Sequence, residues 1–198
     1  MGLQYLKKKR MFPLWYVIKL AVLNVFYKQD WISEEQMARL MLTYYRDKRL
    51  VDFERSADEF YYTCLQPHLA PKILERVLYH KEEGHLLILV SGSIRYWLKP
   101  VMEDLGFNFL LCTDLEEGED GLLTGRPEGT ICVDTHKRER ILDLVSRKQI
   151  DLRQSYAYGN HQADIPMLTL VGHPYAVEPS PRLKITALQN SWPILSYR

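Results

Sequence analysis

The spacing of apolar residues along the chain changes near residue 85. Before that point, apolar residues recur every three or four positions, which is typical of amphipathic helices. After it, short apolar runs alternate with helical stripes, and this pattern predicts alternating strands and helices. Such alternation implies a mostly parallel sheet with helices on both faces. We therefore expect an α/β fold, with a Rossmann-like three-layer core that follows an N-terminal helical region.

End signals and apolar stripes predict the helices of the first region. Ser33 and Gln36 have the spacing of a capping box, so a helix is expected to begin just after Ser33. Pro71 and Gly84 mark the start and end of another helix. The stripes are Met37, Leu40, Met41 and Tyr44; Phe53, Ala57, Phe60, Tyr61 and Cys64; and Ile73, Leu74, Val77 and Leu78. Aromatic residues at helical spacing favour packing over chemistry, so we expect most of these side chains to lie in the core.

The second region predicts strands and the helices between them. Residues 86–90 form an unbroken apolar run, as expected for a parallel strand buried on both faces. Residues 107–111 predict the next strand, and 113–126 predict a hairpin or flap. Further strands are expected at 155–158, 175–177 and 192–195, and helices at 94–105 and from about Asp134, Asp164 and Pro181.

Polar residues follow the predicted strands at the edge where ligands bind in such folds. Ser91, Gly92 and Ser93 follow the first strand, where a hydroxyl and free backbone N–H groups can form an anion cradle. Lys137 lies in the first turn of a helix, where a cation opposes the helix dipole unless an anion lies nearby. The ordinary interpretations are a tight turn for the first group and a solvated side chain for Lys137.

The loop at 158–164 contains the third polar group, with Asn160 four residues before Asp164. An oxygen ligand at this distance from a carboxylate suits Mg²⁺, a hard cation that prefers oxygen. The alternative is that Asp164 only caps the helix that follows.

Taken in order, the three groups resemble the second, third and fourth motifs of the haloacid dehalogenase superfamily, in its phosphoserine phosphatase-like branch (subfamily IB). The residues that carry the resemblance are Ser91, Gly92 and Ser93, then Lys137, then Gly159, Asn160 and Asp164. The phrase at 172–183 (GHPYAVEPSPRL) is also typical of this branch, and the similarity covers residues 84–195.

The resemblance implies a phosphatase that hydrolyses a phosphomonoester through an aspartyl-phosphate with Mg²⁺. It implies that residues 1–68 form a helical cap (C1-type) and that 69–198 form the core. Ser91 and Lys137 would be catalytic. Phosphate would bind to Ser91, Gly92, Ser93 and Lys137, and the metal to Asn160 and Asp164.

Two departures from the family pattern change these expectations. No DxDxT motif, which carries the nucleophile and the general acid, occurs before residue 85. We therefore expect the core to lack its first strand and the chain alone to be inactive, because of either truncation or evolutionary loss. The alternative is a phosphate-binding pseudoenzyme. In addition, Asn160 stands where the family usually has an aspartate, so Mg²⁺ is expected to bind more weakly.

The formal net charge of +1 hides an asymmetry, because residues 1–29 contain six basic residues and no acid. Residues 11–27 are mostly apolar and form either a packed helix or an interfacial helix that contacts acidic lipid through residues 7–28. In the second interpretation, Trp15, Tyr16 and Tyr27 lie at headgroup level, and the substrate is a lipid phosphate such as phosphatidylglycerophosphate rather than a small phosphorylated molecule.

Composition limits the location and partners of the protein. Three cysteines without a CxxC pair indicate a reducing compartment, hence a cytoplasmic protein with or without membrane association. The rest of the chain is net acidic, which argues against nucleic-acid binding.

Overall fold

The computed structural model describes residues 14–29 and 31–197, and within the first helix it describes the side chains of residues 16 and 18–27. The predicted basic run at 7–10 and the Trp15 side chain lie outside this description. The helices are α1 (Leu14–Lys28), α2 (Glu34–Leu42), α3 (Leu50–Phe60), α4 (Pro71–Glu82), α5 (Arg95–Leu105), α6 (Asp134–Lys148), α7 (Ile165–Leu168) and α8 (Pro181–Gln189). The strands are β1 (Ile88–Ile94), β2 (Phe109–Thr113), β3 (Leu115–Glu117), β4 (Leu123–Pro127), β5 (Tyr156–Gly159), β6 (His173–Val177) and β7 (Ile194–Leu195).

The strands form two parallel groups and one hairpin. Strand β1 pairs in parallel with β2, and β5, β6 and β7 pair in parallel in that order. Strands β3 and β4 form the antiparallel hairpin that the sequence predicted at 113–126. Among the described residues, the two parallel groups share no backbone ladder. The expected α/β fold is confirmed.

Two helix boundaries follow the predicted local chemistry. The Ser33 hydroxyl accepts the Gln36 backbone N–H at 3.1 Å, and the Gln36 side chain accepts the Ser33 N–H at 2.8 Å, so the capping box is confirmed. Helix α5 ends at Gly106, which adopts φ 72°, a left-handed conformation that glycine reaches without a steric cost.

The predicted position of the first strand was wrong by several residues. Strand β1 begins at Ile88 and continues to Ile94, so Ser91, Gly92 and Ser93 lie within the strand rather than in a turn after it. The Leu87 N–H is bonded to the Asn108 side chain at 2.7 Å instead of to a neighbouring strand. At the other end the pairing with β2 resumes at Ile94 after an irregularity, which keeps the polar residues extended.

Aspartate is a common N-cap residue, but Asp134 does not cap α6. Val133 occupies the N-cap position of α6 and makes no side-chain cap, while Asp134 is the first helical residue. Its φ of +46° is a conformation that aspartate tolerates better than most residues. The helix begins where predicted, but the carboxylate does not supply the cap.

One hydrophobic cluster joins the N-terminal helices to the core. Tyr16 and Leu20 of α1 are 2% and 5% exposed and belong to the same cluster as Leu123 and Ile131. The Tyr16 hydroxyl donates to the Met41 carbonyl at 2.7 Å. The expectation that Tyr16 lies at a membrane surface is therefore wrong, because the side chain is buried and hydrogen-bonded. The expectation that the aromatic stripes are mainly packing is confirmed for this cluster.

A histidine pair links α4 to the β5 group. His80 Nδ1 lies 2.9 Å from His85 Nδ1, and His80 Nε2 lies 2.8 Å from the Tyr158 hydroxyl. The rings of Tyr79 and Tyr156 also pack against His80, which is buried. Side chains therefore connect α4 to β5. In the described residues, β5 forms no backbone ladder with β1.

We expect the free energy of unfolding to decrease as the pH falls through about 6.5, the ordinary histidine value. Burial, then His85 and Arg76, lower the pKa of His80, so the unfolded chain takes up a proton that the folded chain resists. The free energy of unfolding should be highest well above this pH and should reach a lower plateau once His80 is protonated in the folded chain. Urea titrations at several pH values measure this slope.

The matched variants for this prediction are His80→Gln and His68→Gln. His68 lies on the exposed turn before α4, so its loss should leave the pH slope unchanged, whereas His80→Gln should flatten it. Equal slopes in His80→Gln and the wild type would contradict the assignment to His80.

Candidate active site

The first turn of α6 buries a lysine against a carboxylate. Lys137 is 7% exposed, and its ammonium Nζ lies 2.6 Å from Asp164 Oδ1. A buried charge requires a partner, and a cation at a helix start is unfavourable without an anion. The chain itself therefore supplies an anion of the kind that the sequence led us to expect near Lys137.

Asp164 is held by the loop that follows β5. Its Oδ2 accepts the backbone N–H groups of Asn160 and His161, both at 3.1 Å. Asp164 occupies the N-cap position of α7, but its side chain makes no cap bond to that helix. Asp164 therefore does not cap α7, but its bond to the His161 N–H is half of a capping box on the short turn Gln162–Asp164. Its other oxygen bonds to Lys137.

Gly159 allows the loop to come this close to Asp164. A Cβ atom at position 159 would lie 2.7 Å from the Asp164 Cβ and 3.1 Å from its Oδ2. Any other residue at the end of β5 would displace the carboxylate. The glycine of the fourth motif thus has a steric role that requires no unusual backbone angle.

The end of β1 brings the serine motif to the same place. The Ser91 hydroxyl accepts the Ser93 N–H at 3.2 Å, while the Gly92 carbonyl accepts the Thr113 hydroxyl at 3.0 Å. A Cβ atom on Gly92 would lie 3.0 Å from Val133 Cγ1, so the strand packs tightly against the segment that leads into α6.

All the residues predicted for the site line one cleft of about 650 Å³. From the core these are Ser91, Gly92, Ser93, Lys137, Gly159, Asn160 and Asp164. The opposite wall comes from α1 and α2 and includes Asn24, Tyr27, Glu34, Met37, Ala38 and Met41. One wall is therefore polar and carries the motif residues, while the other is largely apolar.

Sequence reasoning missed a pair that connects the two walls. Glu34 Oε2, in the first turn of α2, lies 3.7 Å from His161 Nδ1 in the loop after β5. Burial and then the Asp134 carboxylate raise the pKa of Glu34, while His161 and Lys137 oppose the shift. An acid in the first turn of a helix is common, so only the tertiary arrangement distinguishes Glu34 from ordinary helix capping.

The metal expected from the sequence, Mg²⁺, takes a near-octahedral shell of oxygen atoms. Asp164 already accepts hydrogen bonds from Lys137 and two backbone N–H groups, and Asn160 is exposed. The described part of the chain holds no group of three or more His, Cys, Asp or Glu side chains arranged for a metal. These residues therefore do not form a magnesium site by themselves, and the assignment of Asn160 and Asp164 as ligands stays a prediction.

Parallel strands that deliver polar residues to one cleft define a Rossmann-like α/β protein with a ligand site at its strand ends. The chain belongs to the haloacid dehalogenase-like hydrolase family, whose sequence profile matches residues 3–169. The resemblance inferred from the three motifs is confirmed.

Individual relatives carry phosphatase names. The chain is 29% identical over 160 residues to a histidinol-phosphatase of Neisseria meningitidis, covering 79% of this chain and 71% of that protein. It is 34% identical over 137 residues to a phosphoserine phosphatase of Polaromonas, covering 67% and 57%. Other curated relatives are spanned over only 39% to 52% of their length. A crystal structure of a Bordetella pertussis protein of unknown function is similar with a TM-score of 0.81 and 27% identity, covering 90% of this chain and 81% of that one.

Proposed function

We propose that the cleft binds the phosphate group of a phosphomonoester and that it forms the phosphate-binding part of a phosphatase site. The observation that carries this proposal is the buried ammonium of Lys137 in the same cleft as Ser91. The phosphatase names of the relatives support the same substrate chemistry.

Each group has a defined task in this proposal. Asp164 accepts one of the three N–H donors of Lys137, so the ammonium retains donors for a phosphate oxygen. The Ser91 hydroxyl, which accepts the Ser93 N–H, would donate its own proton to one of the remaining oxygens. Preorganised donors of this kind stabilise charge that develops during phosphoryl transfer. The Mg²⁺ implied by the family resemblance would be bound through one or two carboxylates and several waters. Both Asp164 oxygens already accept hydrogen bonds, so we assign the ion no step.

Turnover also needs a nucleophile. The 198 residues contain no DxDxT sequence, and among the described residues the proposed site has no second aspartate beside Asp164. We therefore propose that this polypeptide alone binds phosphate without hydrolysing phosphomonoesters through an aspartyl-phosphate. The alternative, a non-catalytic phosphate-binding protein, shares the same cleft and makes the same binding prediction.

The apolar wall of the cleft favours a second substrate class. Tyr27, Met37, Met41 and Ile73 face the same space as Lys137, and an alkyl or acyl group would bury apolar surface against them. A lipid phosphate is therefore the second candidate, beside a small phosphorylated metabolite.

The three free cysteines are compatible with the reducing cytoplasm in which we place the protein.

Phosphate titration by calorimetry tests the proposal. We expect the wild-type chain to bind inorganic phosphate and Ser91→Ala to bind it about 10- to 100-fold more weakly, since a hydrogen bond to a charged group contributes about 1.5–3 kcal/mol. We expect no release of p-nitrophenol from p-nitrophenyl phosphate in the presence of Mg²⁺.

The control is Ser146→Ala, which changes an exposed serine on α6 and should leave phosphate binding unchanged. Phosphate binding that is the same in Ser91→Ala and the wild type would overturn the proposed site. Mg²⁺-dependent hydrolysis that Ser91→Ala abolishes would retain the site and overturn the claim that the chain lacks turnover.

A further inference from the structure

The outward side of α1 carries a continuous stripe of apolar residues. Ile18, Val22 and Val25 are 56%, 48% and 57% exposed, and they follow the i, i+4, i+7 spacing of one helix face. Ala21 is exposed on the same side. We call Ile18, Ala21, Val22 and Val25 the outer stripe. The exposed face of a helix on a globular protein is ordinarily polar, so this stripe needs a partner.

Trp31 extends the outer stripe beyond the end of the helix. Its side chain is 71% exposed, more than any other large hydrophobic side chain among the described residues. The ring stacks on Phe26 of α1 with a centroid distance of 5.4 Å and an interplanar angle of 29°. An exposed tryptophan stacked on the same helix adds to the apolar surface that the outer stripe presents.

The charge of the N-terminal sequence indicates what kind of partner this surface has. Residues 1–29 contain Lys7, Lys8, Lys9, Arg10, Lys19 and Lys28 and no acidic residue. A partner must therefore offer both an apolar region that side chains can enter and negative charge. An acidic lipid surface offers both, because apolar side chains enter the acyl boundary while basic residues attract anionic headgroups. No helix in residues 14–29 and 31–197 is long and apolar enough to cross a membrane.

We propose that the outer stripe and Trp31 bind the surface of a bilayer that contains anionic lipid. The opposite side of α1 contributes Asn24 and Tyr27 to the cleft, so one helix of about 10 Å diameter separates the bilayer from the cleft. The contact is independent of phosphate chemistry, but it would place the cleft close to a lipid phosphate.

Vesicle sedimentation of the full 198-residue chain tests this surface. We expect binding to vesicles of phosphatidylcholine mixed with phosphatidylglycerol, and little binding to phosphatidylcholine alone. Val22→Asp should weaken the binding about tenfold, because a charged group replaces an inserted apolar side chain. Tryptophan emission should shift to the blue on vesicle addition in the wild type, and much less in Trp31→Phe.

The matched control is Leu188→Asp, which places the same charge at a 65% exposed apolar position on α8. It should bind vesicles like the wild type. Vesicle binding that Val22→Asp leaves intact would overturn the proposal, as would failure of the wild type to bind anionic vesicles. A dimer in light scattering that Val22→Asp converts to a monomer would assign the stripe to a second copy of the chain instead. Phosphate titration of Val22→Asp should match the wild type, so failure here and failure of the proposed phosphate site are separate results.

Discussion

Replacing Lys137 with methionine should lower the free energy of unfolding by about 3–5 kcal/mol, the range found when one partner of a buried ion pair is removed. The Lys137 and Asp164 side chains are only 9% and 11% exposed, so the carboxylate left behind would be desolvated without its cation. Two backbone N–H groups would still bond to Asp164, which places the loss towards the lower end of that range. Urea denaturation followed by circular dichroism measures the change.

Arg138→Met is the control, because it removes a neighbouring basic residue of α6 that is exposed. Its effect should stay within about 0.5 kcal/mol, as for most surface substitutions. The double variant Lys137→Met with Asp164→Asn should lose less than the sum of the two single changes, since neither buried charge remains. Additive losses would show that the two side chains do not stabilise each other.

Gly159→Ala should lower the free energy of unfolding by about 1–3 kcal/mol, the usual cost of adding a methyl group to a well-packed site. The new Cβ would lie 2.7 Å from the Asp164 Cβ, and three hydrogen bonds restrain that side chain from moving aside. Because Asp164 must shift, its bond to Lys137 should weaken, and phosphate binding should change with stability. Urea denaturation and phosphate calorimetry on the same preparation measure both effects.

The collision itself can be separated from a general effect of alanine. In an Asp164→Gly background no Cβ stands opposite position 159, so Gly159→Ala should then cost little. Gly129→Ala is a useful contrast, because no atom lies within 4 Å of its new Cβ and only the positive φ of 71° opposes the substitution. If Gly159→Ala costs the same in both backgrounds, steric contact with Asp164 is not the cause.

Much of the fold could be predicted because its signals are local. The capping box at Ser33, the glycine that ends α5 and the apolar strand runs each depend on neighbours in sequence. The boundary of β1 could not be predicted, because the residues 91–93 are polar and small, and only their position beside β2 keeps them extended. The α/β pattern was therefore correct in element order and less accurate at the ends of elements.

The candidate site was predictable as a set of residues but not as an arrangement. The order of motifs identified Ser91, Lys137 and Asp164, and the cleft contains all three. No sequence rule, however, shows that Asp164 is the partner of Lys137, because the two residues belong to different elements. The contact between Glu34 and His161 was missed for the same reason: it depends on how the N-terminal helices lie over the core.

The separation of the parallel strands into two groups has a consequence for the order of folding. Within each parallel group, paired strands follow one another along the chain, with a helix between them. Each group can therefore close with short-range contacts before the other exists, as a cooperative unit of its own. The groups meet through side chains, including the ion pair of Lys137 with Asp164 and the bond of His80 to Tyr158. We therefore expect the cleft to be completed only when the two units dock.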